Sequence, residues 1–358
     1  MKEKISDSKK KEEKLAPRTI GPVDENSSEG REKKIGKSLN EYLNEQGIEA
    51  PPVSIKIFYG GHTYIKDAKG LKSLIKECDL FIPEGINWTP EYLEGYRKIA
   101  SGEAPYSEIS VLSEDTSAGS FDKEMLRALY GSGKRVAFVD VSHDSDLIYR
   151  LSDEVFQADK KFNAKLFSGV ESLENILSDL RDFERTKADL QTTKRDQLML
   201  EELGPKVAEI LKDDRDLLKK DELRVLMILG TQHTGLYHEL IRKNADKKLI
   251  SRQFSSELTV FHPSAEVRRR FRFGIPVSDD LLLKDMMETI LVGEKPEIFF
   301  GPKVDSSDKF ARKIRGAVEK FSSDEIRMIY KKIGSKNFAE YLGQALKIKG
   351  IIIPTQEK

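Results

Sequence analysis

Histidine is rare in this chain, five in 358 residues, and two of the five close matching phrases. One phrase reads Ile55-Lys-Ile-Phe-Tyr-Gly-Gly-His62-Thr63, the other Val225-Leu-Met-Ile-Leu-Gly230-Thr-Gln-His233-Thr234. A short apolar run bounded by glycine reads as a buried strand. Each imidazole is therefore expected just beyond the carboxyl end of a strand, the edge where open α/β sheets build their sites. Two further runs end in acids: Leu80–Ile82 leads into Pro83-Glu84-Gly85, and Arg135–Val139 leads into Asp140. Imidazoles plus a carboxylate are the usual ligand set of zinc or a similar transition metal. Such an ion generates hydroxide near neutral pH, and a spare carboxylate can take the proton. The expected metal ligands are His62, His233 and Glu84, with Asp140 beside them. Without metal, a His/Glu pair can still do acid–base work on water.

Each residue also has a plainer reading. His62 and His233 fit turn positions, and Thr234 fits an N-cap for a helix near Leu236. Asp140 fits an N-cap equally well. Glu84 follows an apolar strand, where a buried carboxylate without a partner is costly. His238 falls on the next helix, in a surface or packing role, and His143 in a loop. Ser142-His143-Asp144 is no catalytic triad, since adjacent side chains cannot converge in that geometry.

The elements that must position these groups follow from periodicity. Residues 1 to about 35 carry few large apolar residues and are expected to be a disordered tail. Ile35–Gln46 has the pattern of an amphipathic helix, which makes residues 1–50 a charged tail with a possible short helix. Strands are expected at Val53–Phe58, Leu80–Ile82, Arg135–Val139, Val225–Leu229 and Leu258–Phe261, with Ile298–Phe300 as an edge strand. Helices are expected at Lys69–Glu77, Phe121–Tyr130, across Ser172–Leu218 with a new start at Pro205, and at Leu236–Asn244. The order strand, His62, helix, strand, Glu84 parallels the order strand, His233, helix, strand, His262. Residues 51–265 form the expected α/β domain, a mostly parallel sheet flanked by helices. Residues 266–358 read as a mostly helical extension, with helices at Leu281–Leu291, Asp308–Phe321 and Asp324–Ile333.

Composition narrows the class. Lys+Arg and Asp+Glu are both 61, so no net charge draws the chain to nucleic acid, despite the basic run Arg268–Arg272. No stretch approaches the roughly 20 apolar residues of a membrane span. A charged start without an apolar core is not a secretory signal. The single cysteine, Cys78, rules out an internal disulfide and is read as an inert core thiol. A soluble, cytoplasmic protein is expected.

These motifs resemble the TraB/Tiki/GumN group within the EreA/ChaN-like superfamily, marked by two G-x-x-H motifs and a glutamate ending the strand after the first. Gly230-Thr-Gln-His233 matches the second motif, and Phe81-Ile-Pro-Glu84 resembles the glutamate strand. Tyr59-Gly-Gly-His62 keeps the histidine but shifts the glycines. Val136-Ala-Phe-Val-Asp140 with Asp146–Arg150, and Arg195-Asp-Gln-Leu-Met199, agree with further family stretches. The resemblance covers about residues 53 to 262. It implies that the histidines and glutamate converge at the carboxyl edge of a mostly parallel sheet. It also assigns Arg195 to the site, where it pairs with Glu84 or holds a substrate oxyanion. The membrane helices of many TraB proteins are missing.

The leading expectation is thus a metal-dependent hydrolase, most plausibly a peptidase using zinc, manganese or cobalt. In it His62, His233 and Glu84 bind metal, while Glu84, Arg195 and Asp140 serve catalysis. Two alternatives stay open: a non-catalytic protein that binds a peptide signal or haem, and a metal-free esterase. The C-terminal helices fit a lid, a homo-oligomer surface or a docking module.

Overall fold

The computed structural model describes residues 38–60, 68, 70–105, 117–244, 246–255, 262–293 and 307–351. All of them belong to one unit, Lys37–Lys358. The first helix, α1 (Leu39–Glu45), begins with a capping box. Ser38 Oγ accepts from the Glu41 amide while Glu41 accepts from the Ser38 amide. The apolar runs then build five strands: β1 (Val53–Gly60), β2 (Leu80–Pro83), β3 (Arg135–Val136), β4 (Leu223–Gly230) and β5 (Ile250–Phe254). They form one sheet in the order β3-β2-β4-β1-β5, every pairing parallel. The α/β fold and parallel sheet are as expected.

Parallel sheets are covered on both faces, and their strands alternate between two cores. Ile55, Ile57 and Tyr59 of β1, with Val225, Met227 and Leu229 of β4, face α1, α7 (Arg195–Asp213) and α8 (Thr234–Lys243). Phe58, Phe81, Leu226 and Ile228 face α2 (Leu71–Glu77), α3 (Pro90–Ser101) and α4 (Ser117–Leu129). Cys78 is buried against this second face, and burial pushes its thiol up to about 12, in keeping with an inert core role.

A third core is wholly helical. It joins α5 (Asp146–Ser168) and α6 (Leu173–Lys187) to α9 (Pro263–Arg272), α10 (Asp279–Gly293), α11 (Ser307–Glu319), α12 (Ser323–Tyr330) and α13 (Phe338–Ile348). The last helices therefore share one core with helices from the middle of the chain.

The structure departs from the sequence reading in several places. Pro205 does not start a helix; it lies inside α7. A proline there removes one backbone hydrogen bond. The helix continues because Leu203, Val207 and Leu211 on both sides are buried, and Gly204 leaves room for the Tyr42 ring of α1. The strand expected at Arg135–Val139 is only Arg135–Val136. Its partner β2 ends in Pro83, which has no N–H to extend the ladder. Strand β4 lies between β1 and β2, a placement that the order of elements along the chain does not dictate. The fifth strand is Ile250–Phe254, an edge strand with only Ile250 buried, so it carries no apolar run. Leu258–Phe261 and Ile298–Phe300 lie outside the described residues, as does the expected tail. No helix among the described residues is long and apolar enough to cross a membrane.

Candidate functional site

The strands that open the two glycine–histidine phrases lie side by side. The β1–β4 register runs from Val53↔Leu223 to Gly60↔Gly230, so both strands end at the same level. His62 follows Gly60 by two positions and lies outside the described residues. The β2 ladder is continued by Glu84, whose amide donates to the Ile228 carbonyl of β4 at 2.8 Å. This bond locks the glutamate beside the end of β4.

Among the described residues the Glu84 carboxylate meets the Gly230 amide, Arg195 and His233. Oε2 accepts from the Gly230 amide at 2.5 Å. Oε1 accepts from Arg195 Nη2 at 2.9 Å and lies 3.2 Å from His233 Nε2. Arg195 also grips Asp140, with Nε donating to Oδ1 at 3.0 Å and Nη2 to Oδ2. Asp140 is thus an ion-pair partner rather than a helix cap. Its Oδ1 also accepts from the Val141 amide, and the next helix is capped by Ser145.

Beyond His233 stands an acid that motif reading did not single out. Asp196 Oδ1 is 2.5 Å from His233 Nδ1, and Asp196 Oδ2 is 2.8 Å from Arg272 Nη2. Three carboxylates, two guanidiniums and one imidazole form a continuous line: Asp140, Arg195, Glu84, His233, Asp196, Arg272. His233 is 1% exposed. Burial alone would lower its pKa, but Glu84 and Asp196 outweigh both burial and Arg195 and push it up to about 9. At neutral pH the ring is an imidazolium donating to both acids, and the line has no net charge. Arg195 is likewise held charged, because Asp140 and Glu84 overcome its burial.

Local structure explains how adjacent residues reach this line. A π-helical stretch, Ala188–Lys194, joins α6 to α7. Such wide turns change helical phase and often accompany functional sites. Directly after it, Arg195 and Asp196 are both buried, one serving Glu84 and the other His233. On the opposite side the loops after β2 and β3 are stapled together. The Asn87 amide donates to the Val141 carbonyl at 2.7 Å, and Trp88 Nε1 donates to the Asp140 carbonyl at 2.8 Å. Gly85 is required beside them, since a Cβ there would stand 2.4 Å from the Phe138 ring.

The remaining histidines have other surroundings. His233 itself occupies the N-cap position of α8 without a side-chain cap bond, and Thr234 is the first helical residue rather than the cap. His238 lies on α8, edge-on to Tyr237 and Phe273. His143 is in a loop, where its amide and ring face the Trp88 carbonyl. His262 takes a hydrogen bond from Arg315 at 3.2 Å and lies 3.7 Å from Glu288. Burial, reinforced by Arg315, Arg268 and Lys187, lowers its pKa to about 3, so it is neutral. Arg268 reaches Gln232, the neighbour of His233, at 2.7 Å. The basic run Arg268–Arg272 thus braces the site.

The described residues do not fit a divalent ion. No group of three or more His, Cys, Asp or Glu side chains among them is arranged to hold one. Both oxygens of Glu84 are engaged, both nitrogens of His233 face carboxylates, and Arg195 stands where a second cation would be repelled. No family model matches the chain, and comparison with curated proteins and with solved structures returns no match.

Proposed function

We propose that the chain is a hydrolase that adds water across a peptide or ester carbonyl without a metal, using Glu84 as base and His233 as acid. One observation carries this reading: the His233 imidazole is clamped between Asp196 on Nδ1 and Glu84 on Nε2 at the carboxyl edge of a parallel sheet. A ring so held has its orientation and charge fixed before substrate arrives. The Glu84 side chain is 19% exposed and is the member of the pair open to solvent.

The proton path closes on itself. Glu84 takes a proton from water as the water oxygen bonds to the carbonyl carbon. Arg195 opposes the negative charge that develops on the carbonyl oxygen. The bond to the leaving nitrogen or oxygen breaks as that atom takes the Nε2 proton of His233. Glu84 then returns its proton to His233 across the 3.2 Å contact, restoring carboxylate and imidazolium. Asp196 keeps the ring in place and keeps it charged. The resemblance to the TraB/Tiki/GumN group supports hydrolysis and a peptide substrate.

A second reading keeps the metal. It is favoured by the register that sets Gly60 level with Gly230, and it requires His62 as a further ligand together with a neutral His233. A panel of peptides and esters separates the two. The metal-free reading expects turnover that survives EDTA and falls by about 10²-fold or more in Glu84→Gln and His233→Gln, the usual range for acid–base groups. Turnover abolished by EDTA and restored by zinc, manganese or cobalt selects the metal reading. Turnover indifferent to both substitutions removes the site from the chemistry.

A further inference from the structure

Two glutamines meet at one buried guanidinium next to the ion-pair line. Arg268 of α9 is 6% exposed, and its Nη1 donates to Gln191 Oε1 at 3.2 Å and to Gln232 Oε1 at 2.7 Å. An arginine donates and never accepts, so each carboxamide turns its oxygen toward Arg268 and its NH2 group away. Neither NH2 group has a partner among the described residues. Gln232 is exposed and Gln191 half-buried, so the tethered side chains keep their donors open to a ligand.

The tether itself is held from behind. Arg268 Nε donates to the Ser264 carbonyl at 3.3 Å and lies 3.3 Å from Glu184 Oε2. Glu184 is 1% exposed and also accepts from Ser264 Oγ at 3.0 Å and from Lys187 Nζ at 2.9 Å. Its carboxylate is therefore occupied and does not compete for the glutamine amides. Arg268 cannot swing away from them without breaking a buried ion pair. Asp189, in the same stretch of chain as Gln191, is taken by Lys194 at 2.9 Å.

The two glutamines come from the segments that deliver the ion-pair line. Gln191 lies in the π-helical stretch Ala188–Lys194 that leads into Arg195 and Asp196. Gln232 is the middle residue of the short turn Thr231–His233. One guanidinium thus ties both segments to α9 and fixes two side chains that are otherwise free to rotate. A glutamine loses rotamer freedom worth up to about 2 kcal/mol when it is ordered. Here the ordering precedes any ligand, which is the condition for a preorganised contact.

We propose that Gln191 and Gln232 form a subsite next to His233 in which their NH2 groups donate to an acceptor oxygen of a peptide, a backbone carbonyl or a terminal carboxylate. With both carboxamide oxygens spent on Arg268, the pair offers donors only and does not take an amine. Its use in aligning a substrate for Glu84 and His233 rests on the function proposed above, whereas the binding itself does not.

The carboxamide signals of the two glutamines report occupancy. In the full-length protein they are followed by proton–nitrogen NMR, assigned with Gln191→Leu and Gln232→Leu, with the exposed Gln344 of α13 as reference. The probes are acetylated triglycine with a free carboxyl end and the same peptide closed as a methylamide, at constant ionic strength. The expected result is a saturable movement of both glutamine signals while Gln344 stays still. The probe that saturates lower tells a terminal carboxylate from a backbone carbonyl. Each Leu variant should weaken the binding read on the remaining glutamine about two- to tenfold, the worth of one neutral hydrogen bond. Should Gln191→Leu unfold, the exposed Gln232→Leu carries the test alone. No saturable movement with either probe, or an unchanged midpoint in Gln232→Leu, overturns the proposal. No turnover is measured, so its failure is separate from any failure of the hydrolase reading.

Discussion

The sense of His233 titration can be worked out from its surroundings. Its folded pKa, about 9, lies above the ordinary value of 6.5, so the folded protein binds the proton more tightly than the unfolded chain. The resulting stabilisation is fully present below pH 6.5 and is lost as pH rises through about 9. The shift corresponds to on the order of 3 kcal/mol for this buried ring. Urea denaturation of wild type and His233→Gln at pH 6 and at pH 10 measures it. The difference between the two proteins should shrink by that order on going to pH 10, and a constant difference denies the imidazolium. Glu84, Asp140 and His233 stood out in the sequence because each closes an apolar run, whereas Arg195 entered only through the resemblance, as the first residue of the stretch Arg195–Met199. Asp196 was not singled out. It directly follows Arg195, and ordinary helical phase would not send two adjacent side chains to one line. The signal was the mid-helix stretch before them, whose π geometry has no compositional mark. Arg272 was one member of a basic run weighed only against nucleic-acid binding, and its contact with Asp196 follows from the approach of α9 to Gly235.

At the scale of elements, two loops hold the acid end of the line. The turn after β2 carries Glu84 and the turn after β3 carries Asp140, and each depends on the other through Asn87 and Trp88. Gly85→Ala tests this coupling. Its Cβ would displace the buried Phe138 ring, an overpacking that typically costs about 1–3 kcal/mol. The urea midpoint should fall accordingly, and hydrolysis should fall with it as Glu84 moves relative to Asp140. An unchanged midpoint means that the ring has room the structure does not show. Strand β2 and most of β4 were readable because their side chains are buried on both faces and leave continuous apolar runs, while β1 alternates buried Val53, Ile55 and Ile57 with half-buried Ser54 and Lys56 before its buried Phe58 and Tyr59. Strand β5 was missed because four of its five side chains are exposed. Pro205 misled because its local preference is overruled by the packing of α7 between the sheet and α1.

For the whole molecule, the helices after residue 262 are structural partners of the middle of the chain. Met286, Ile290, Val318, Ile329 and Leu342 are buried in one core with Leu166, Ile176 and Leu180. Each fully buried side chain of this kind contributes about 1.5–3 kcal/mol. Helix α9, which belongs to that core, supplies Arg268 and Arg272 to the site. Removing residues 307–358 should therefore abolish cooperative unfolding and also lose any hydrolysis, rather than release an active sheet domain. Circular dichroism and a denaturation curve check this, and a truncated protein that unfolds cooperatively at the wild-type midpoint argues for an independent extension. Periodicity indicated that this region is mostly helical. It could not show which face met which helix, because those partners are far off in the chain, 80 residues from Ser264 to Glu184 and 159 from Tyr330 to Glu171.

Between Glu84 and Asp196, His233 is held as an imidazolium. Nitrogen NMR of the ring reads it directly, with His233→Gln used to assign the signal. At pH 7.5 both ring nitrogens should carry protons, the ring should titrate near pH 9, and Glu84→Gln should move that titration downward. A ring with an unprotonated Nε2 at pH 7.5, unchanged by Glu84→Gln, contradicts the account.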